Sequence, residues 1–286
     1  MLGHKLYQEL SVGFDVWGTI RGEATGLGVY GFYDIERIIG GADAEHMETV
    51  ERAFDTARPD VVVNAVGVVK QRVSGNDPSQ TKTINSEFPH HMARIAAERS
   101  ARFITISTDC VFSGKKGNYK ESDVPDATDT YGVSKRLGEP FGPNILILRT
   151  SIIGRELRTR HGLVEWFLSN RGSTVPGYVN AIFSGLTTNA FARVIRQLIA
   201  EHTDLDGLYH VSADAISKYD LLLALNDAFA TGVGIEASNG LEIDRSLDSS
   251  LFRSITGLQP PTWAEMIGEM AADPTPYGFW KGEPGG

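Results

Sequence analysis

The sequence predicts an α/β fold: a doubly wound parallel sheet with a smaller, discontinuous C-terminal region that binds substrate. Three observations point there. Strand-like and helix-like runs alternate through the first half of the chain, the pattern of parallel strands joined by crossover helices. The run Val61-Val62-Val63-Asn64-Ala65-Val66 carries no charge, as expected of a strand covered on both faces. The apolar run Phe103-Ile104-Thr105-Ile106 ends in Ser107-Thr108-Asp109, polar residues at the carboxyl edge where open parallel sheets bind ligands.

The elements follow in order. Leu2 to Leu10 reads as a helix, Phe14 to Ile20 as a strand and Ile38 to Ala42 as another. Met47 to Ala57 places Met47, Val50, Phe54 and Ala57 on one helical face, and Arg58-Pro59-Asp60 breaks that helix. After the strand at 61–66 come a helix at Glu87 to Arg99, a strand at Arg102 to Ser107, a helix at Tyr131 to Glu139 and a strand at Asn144 to Leu148. Beyond residue 150 the alternation loosens to a helix at Thr188 to His202, a strand at Gly207 to Val211 and a helix at Ser217 to Ala230. The Pro/Gly-rich end, PYGFWKGEPGG, reads as a loose tail.

Composition narrows the function classes. The chain has 286 residues, about two domains at roughly 150 residues each. Lys plus Arg is 27 and Asp plus Glu is 36, a net charge of −9, which argues against nucleic acid or an anionic membrane as partner. The single cysteine, Cys110, leaves no internal disulfide and no Cys-rich zinc site. His90-His91 point about 100° apart on a helix, so no metal site is expected. The N-terminus lacks the apolar run of a signal peptide, and the longest charge-free stretch, Gly172 to Ala192, is full of Gly, Ser, Thr and Asn. A membrane span would be apolar over about 20 residues. A cytoplasmic protein is expected.

The strongest chemical signal is Tyr131-Gly132-Val133-Ser134-Lys135. Positions i and i+4 share a helix face, and a lysine ammonium beside a phenol lowers its pKa from about 10. A lone pair of this kind equally describes a solvated helix face. Thr108, at the strand end upstream, supplies a hydroxyl for a substrate carbonyl oxygen, against the plainer reading of Ser107 and Thr108 as turn residues. Arg21, just after the predicted strand Phe14 to Ile20, suits a 2′-phosphate where an acidic residue would bind a ribose diol. Trp166 and Phe167 read as core.

Together NAVG (Asn64 to Gly67), STDCVFSG (Ser107 to Gly114), YGVSKRLGE (Tyr131 to Glu139) and LRTSIIG (Leu148 to Gly154) resemble the extended short-chain dehydrogenase/reductases, most of all the dTDP-4-dehydrorhamnose reductase group. The resemblance implies a Rossmann-like NAD(P)-binding domain at 1–154 and a substrate-binding region at 155–286, with about 186–212 returning to the first domain. It implies NADP(H) as preferred cofactor with NAD(H) allowed, a nucleotide-sugar substrate, and a homodimer as an allowed assembly. The catalytic residues would be Thr108, Tyr131 and Lys135, with Lys135 also holding the nicotinamide ribose. The cofactor would run along Gly3, Arg21, Asp43, Asn64, Ala65, Val66, Asn85, Tyr131, Lys135, Thr150 and Ser151, with Asn85 supporting the lysine or acting as a plain helix cap. Cys110 stands where the rhamnose enzymes usually carry tyrosine.

The implied activity is NADPH-dependent reduction of a 4-keto nucleotide-activated deoxysugar in surface polysaccharide synthesis. An epimerase or dehydratase of the same superfamily, or a non-catalytic NADP-binding regulatory subunit, is the alternative. Gly3 matches the third glycine of the family's Gly-x-x-Gly-x-x-Gly loop, and neither the first two glycines nor the strand before them is in this chain. The expectation is two unpaired strand edges and a weakened pyrophosphate cradle.

Overall fold

The computed structural model describes residues 1–69 and 77–282. Helix α1 (Leu2–Leu10) ends in a tight turn where Gly13 and Phe14 both donate to the Leu10 carbonyl. The chain then enters β1 (Gly18–Thr19), paired in parallel with β2 (Ile38–Ile39). Both strands are two residues long, shorter than the runs Phe14 to Ile20 and Ile38 to Ala42. The turn after α1 takes up Phe14, and Gly41, at a left-handed φ of 72°, turns the chain after β2.

Helix α2 (Met47–Ala57) occupies its predicted span and leads to β3 (Val61–Asn64). Asp77 caps α3 (Pro78–Lys82), which passes through a π-helical turn, Thr83–Glu87, into α4 (Phe88–Glu98). Next come β4 (Arg102–Thr108), α5 (Thr130–Leu137) and β5 (Ile145–Thr150). Then follow β6 (Ile152–Ile153), α6 (Leu163–Leu168), β7 (Thr174–Phe183), β8 (Leu186–Thr187), α7 (Thr188–Glu201) and β9 (Gly207–His210). The chain closes with β10 (Ile216–Ser217), α8 (Lys218–Ala228), β11 (Gly234–Asp244), α9 (Ser250–Thr256), α10 (Trp263–Ala271) and α11 (Tyr277–Trp280).

The central sheet is parallel throughout, in the order β3-β4-β5-β9. Alternate side chains of β4 and β5 face opposite layers. Ile104, Leu146 and Leu148 meet Leu2 and Leu6 of α1 and Phe191, Ile195 and Leu198 of α7. Phe103, Ile145 and Ile147 meet Met92, Ile95 and Ala96 of α4 and Phe54 of α2. Each such fully buried large side chain contributes about 1.5–3 kcal/mol. A second sheet, β10-β7-β11, carries its own core, in which Phe167, Val175, Phe183, Leu221 and Leu225 pack together.

Two side-chain expectations are corrected. Phe167 is fully buried, but its neighbour Trp166 is 38% exposed, because successive helical residues face different sides. The tail is docked as far as residue 282. Tyr277 is buried with its hydroxyl 2.9 Å from His4 Nε2, and the Trp280 indole donates to the Val29 carbonyl at 3.1 Å. Residues 283–286 lie outside the described residues.

Candidate active site

The site is built at the carboxyl ends of β3, β4 and β5. At the end of β4 the chain turns into a short 3-10 segment, Asp109–Val111. The Thr108 hydroxyl accepts from the Cys110 amide at 3.1 Å and lies 3.0 Å from Asp109 Oδ1. Asp129 opens α5 by accepting from the Gly132 amide at 3.1 Å, ordinary N-cap geometry. That cap sets Tyr131 in the first turn and Lys135 one turn later on the same face.

Two glycines fix how closely α5 approaches its neighbours. A β-carbon at Gly132 would stand 2.6 Å from Ala127 Cβ, and one at Gly138 would overlap the Asn85 carbonyl. The helix is thereby pressed against the turn after β4, and the Tyr131 phenol comes within reach of the Thr108 hydroxyl. Thr108, Tyr131 and Lys135 therefore share one site.

Electrostatics there differ from the expectation in one respect. Burial pushes the Tyr131 phenol well above its ordinary pKa, and the Thr108 hydroxyl offsets this only in part. Lys135 does not pull it down. The Lys135 ammonium is itself buried, which lowers it to about 8, with Glu139 acting in the opposite direction. It donates to the Ile106 carbonyl at 2.8 Å, the one hydrogen-bond partner it has among the described residues. An ammonium has three donors, so two remain for a ligand.

Asn85 lies within the π-helical turn, and the helix start is capped by Asp77 instead. Its side chain bridges the Val68 backbone, accepting at 2.8 Å and donating at 3.1 Å, and donates to Ser134 Oγ at 3.2 Å. It thus holds α5 through Ser134, one residue before Lys135, with no hydrogen bond to Lys135 itself among the described residues. Asn64 donates to Thr105 Oγ1 at 3.2 Å and accepts from the Val66 amide at 3.0 Å. This curls the end of β3 outward past Ala65, leaving Val66 and Val69 45% and 43% exposed.

Of the other expected cofactor positions, Thr150 is buried and donates to the Ser151 carbonyl at 3.2 Å. Ser151 sits where β6 meets β8, its carbonyl also accepting from Leu186. Gly3 lies exposed in the first turn of α1, where a β-carbon would meet nothing within 4 Å. Arg21 is exposed just past β1. Asp43 is a turn residue, accepting from the Glu45 amide at 3.0 Å. Among the described residues no group of three or more His, Cys, Asp or Glu is placed to hold a metal ion.

The donor set fits a dinucleotide at its nicotinamide end. Two unused ammonium donors suit a ribose diol, and the exposed Val66 and Val69 suit the flat apolar face of a heterocycle.

Sequence reasoning missed the support beneath this site. Glu139, just past α5, accepts from Ser107 Oγ at 2.5 Å and from Arg149 through two bonds of 2.8 and 2.7 Å. Lys135 and Glu139 at i, i+4 were the available signal. It missed Lys218 as well, which α8 brings within reach of the Asp109 charge; nothing in its local sequence marks it.

A parallel sheet with tyrosine, lysine and threonine converging at its carboxyl edge places the chain in the short-chain dehydrogenase/reductase class. Within that class, residues 1–275 match the family described as RmlD substrate binding domain, and the chain belongs to that family. A dTDP-4-dehydrorhamnose reductase of Aggregatibacter actinomycetemcomitans is 24% identical over 254 residues, covering 80% of this chain and 86% of that one. The crystal structure of a hypothetical dTDP-4-dehydrorhamnose reductase from Sulfolobus tokodaii superimposes with a TM-score of 0.75 at 27% identity, covering 92% of this chain and 94% of the other. A dTDP-4-dehydrorhamnose reductase from Bacillus anthracis, solved in complex with NADP, gives a TM-score of 0.73 at 21% identity, covering 88% and 96%. Among the described residues no helix is long and apolar enough to cross a membrane.

Proposed function

We propose that this chain is an NADPH-dependent reductase of a 4-keto nucleotide-activated deoxysugar, supplying precursors for surface polysaccharide. The observation that carries the reading is the meeting of Thr108, Tyr131 and Lys135 at one sheet edge in a chain of this family. NADP(H) is the preferred cofactor, a reading supported by the exposed Arg21, a residue type that suits a 2′-phosphate. When bound, the reduced nicotinamide supplies hydride to the carbonyl carbon.

The chain's own residues do the rest. Thr108 donates to the substrate carbonyl oxygen and orients it. Tyr131 gives its phenolic proton to that same oxygen. Burial keeps the phenol protonated, the form a proton donor requires at neutral pH. Lys135 turns its two free donors to the ribose hydroxyls and so holds the cofactor beside Tyr131. Asn64, Ala65, Val66, Thr150 and Ser151 line the nicotinamide end, and Gly3, Asp43 and Asn85 lie along or behind the rest. Residues 1–154 would hold the cofactor and residues 155–286 the sugar nucleotide, with about 186–212 returning to the first domain.

The test is NADPH consumption with a dTDP-4-keto-6-deoxyhexose, comparing wild type with Tyr131→Phe. Turnover should fall by about 10²–10⁴-fold while NADPH affinity, read by fluorescence titration, is unchanged. Wild-type protein that binds NADPH without turnover on any keto-sugar nucleotide, and is indifferent to Tyr131→Phe, would be a regulatory subunit instead.

A further inference from the structure

Lys218 is the first residue of α8 and follows its Ser217 cap. A cation there opposes the positive end of the helix dipole, where acidic residues are the favoured choice. Its ammonium stands 3.6 Å from the centroid of the Phe183 ring. The neighbouring Ile182 carbonyl accepts from the Arg245 amide, and Arg245 Nε donates at 2.9 Å to the carbonyl of Phe112, just past the Asp109–Val111 turn, so the charge of Asp109 acts on Lys218. Among the described residues it makes no hydrogen bond and no ion pair within 4 Å. Enclosure in this setting lowers it to about 8. An ammonium enclosed in this way, with no acceptor among the described residues, is costly unless something else accepts from it.

Its position says what that partner is. Asp109, whose charge acts on Lys218, lies 3.0 Å from the Thr108 hydroxyl. Arg245, whose Nε donates to the Phe112 carbonyl at 2.9 Å, also acts on Asp109, so two positive charges bear on one carboxyl that burial holds toward its neutral form. The surroundings of Asp109 therefore offer hydrogen-bond donors and positive charge close to the hydroxyl assigned to the substrate carbonyl.

Building on the reductase reading above, we propose that Lys218 is a specificity-determining residue, its ammonium donating to a hydroxyl oxygen of the hexose ring beside the reacting carbonyl. Between turnovers the Phe183 ring face is the contact that holds the ammonium. The sugar ring is chosen over the diphosphate because Lys218 shares its carboxylate neighbour with Thr108, which places it against ring atoms flanking the reacting carbon.

The experiment is calorimetric titration of the full chain with NADP present, using dTDP-glucose and dTDP as probes, for wild type, K218M and K218R. K218M should bind dTDP as wild type does and lose about 10- to 100-fold in affinity for dTDP-glucose, the worth of one hydrogen bond to a charged donor. K218R, which keeps the charge but not the donor geometry, should fall between them and serves as the readout if K218M does not fold. Equal losses for both probes would assign the ammonium to the phosphates and overturn the proposal. No change for either would make Lys218 a counter-ion of Asp109 alone and overturn it too. Wild type that binds neither probe would bring down the reductase reading itself, and this proposal with it.

Discussion

Gly132 in α5 lies directly against the backbone of Cys110: a β-carbon at 132 would stand 2.3 Å from the Cys110 carbonyl oxygen. No side chain fits there, so the helix bearing Tyr131 and the turn bearing Thr108 approach only because residue 132 is glycine. Gly132→Ala must push the two apart by a sizeable fraction of an ångström. Overpacking of this kind costs about 1–3 kcal/mol of stability, and misplacement near 1 Å of a reacting group costs about 10²-fold in rate. Turnover should therefore fall far more than the melting temperature suggests. A Gly132→Ala enzyme with wild-type kcat would show that this contact does not set the Thr108–Tyr131 approach.

The buried Glu139–Arg149 pair gives a second expectation. Both side chains are about 5% exposed, and Ser107 completes the carboxylate's bonding. Glu139→Gln leaves the Arg149 guanidinium without its counter-charge in the core, which costs about 3–5 kcal/mol. Glu139→Gln combined with Arg149→Met should recover much of that loss in urea denaturation. Glu139 also raises the pKa of Lys135, so its removal lowers that value from about 8. The alkaline limb of kcat/KM should then move to lower pH in Glu139→Gln. An unmoved limb would mean that Lys135 is insulated from Glu139.

These two relationships mark where local sequence stops being informative. α2 and α7 were legible because each has apolar residues at helical spacing and a clear end, Arg58-Pro59 for one and the Thr187 cap for the other. β4 and β5 were legible as apolar runs buried on both faces. The eleven-residue β11 was not: it is mostly exposed and reads GIEASNGLEID, without the alternation that marks a half-buried strand. The runs read as strands over β1 and β2 were drawn too long, because only two residues of each are paired and the flanking turns are set by contacts outside the run. In the site, Thr108, Tyr131 and Lys135 could be named from spacing and motif. The downward pull expected of Lys135 on Tyr131 was a pairwise argument; burial, a property of the whole surrounding, sets the phenol instead. Lys218 acts on Asp109 only through the folded chain, so no local pattern joins them.

His210 supplies an expectation for stability against pH. It is fully buried at the end of β9, with Nδ1 3.0 Å from the Tyr119 carbonyl, and Nε2 has no partner among the described residues. Burial, helped by the nearby Arg149 charge, lowers its pKa from 6.5 to about 4. The folded state therefore binds fewer protons than the unfolded state between those values, and stability rises with pH across that window. The contribution is complete above about 6.5 and is lost as pH falls toward 4. It amounts to roughly 3 kcal/mol at about 1.4 kcal/mol per tenfold change in proton affinity. His4, lowered by burial to about 3, adds to the same acid limb. Thermal unfolding from pH 7.5 to 4 should show the wild-type melting temperature dropping steeply below 6.5. His210→Gln should be less stable at pH 7 yet fall along a shallower slope. Parallel curves for the two proteins would mean that His210 does not titrate with folding and that the acid limb belongs to His4 and the carboxylates.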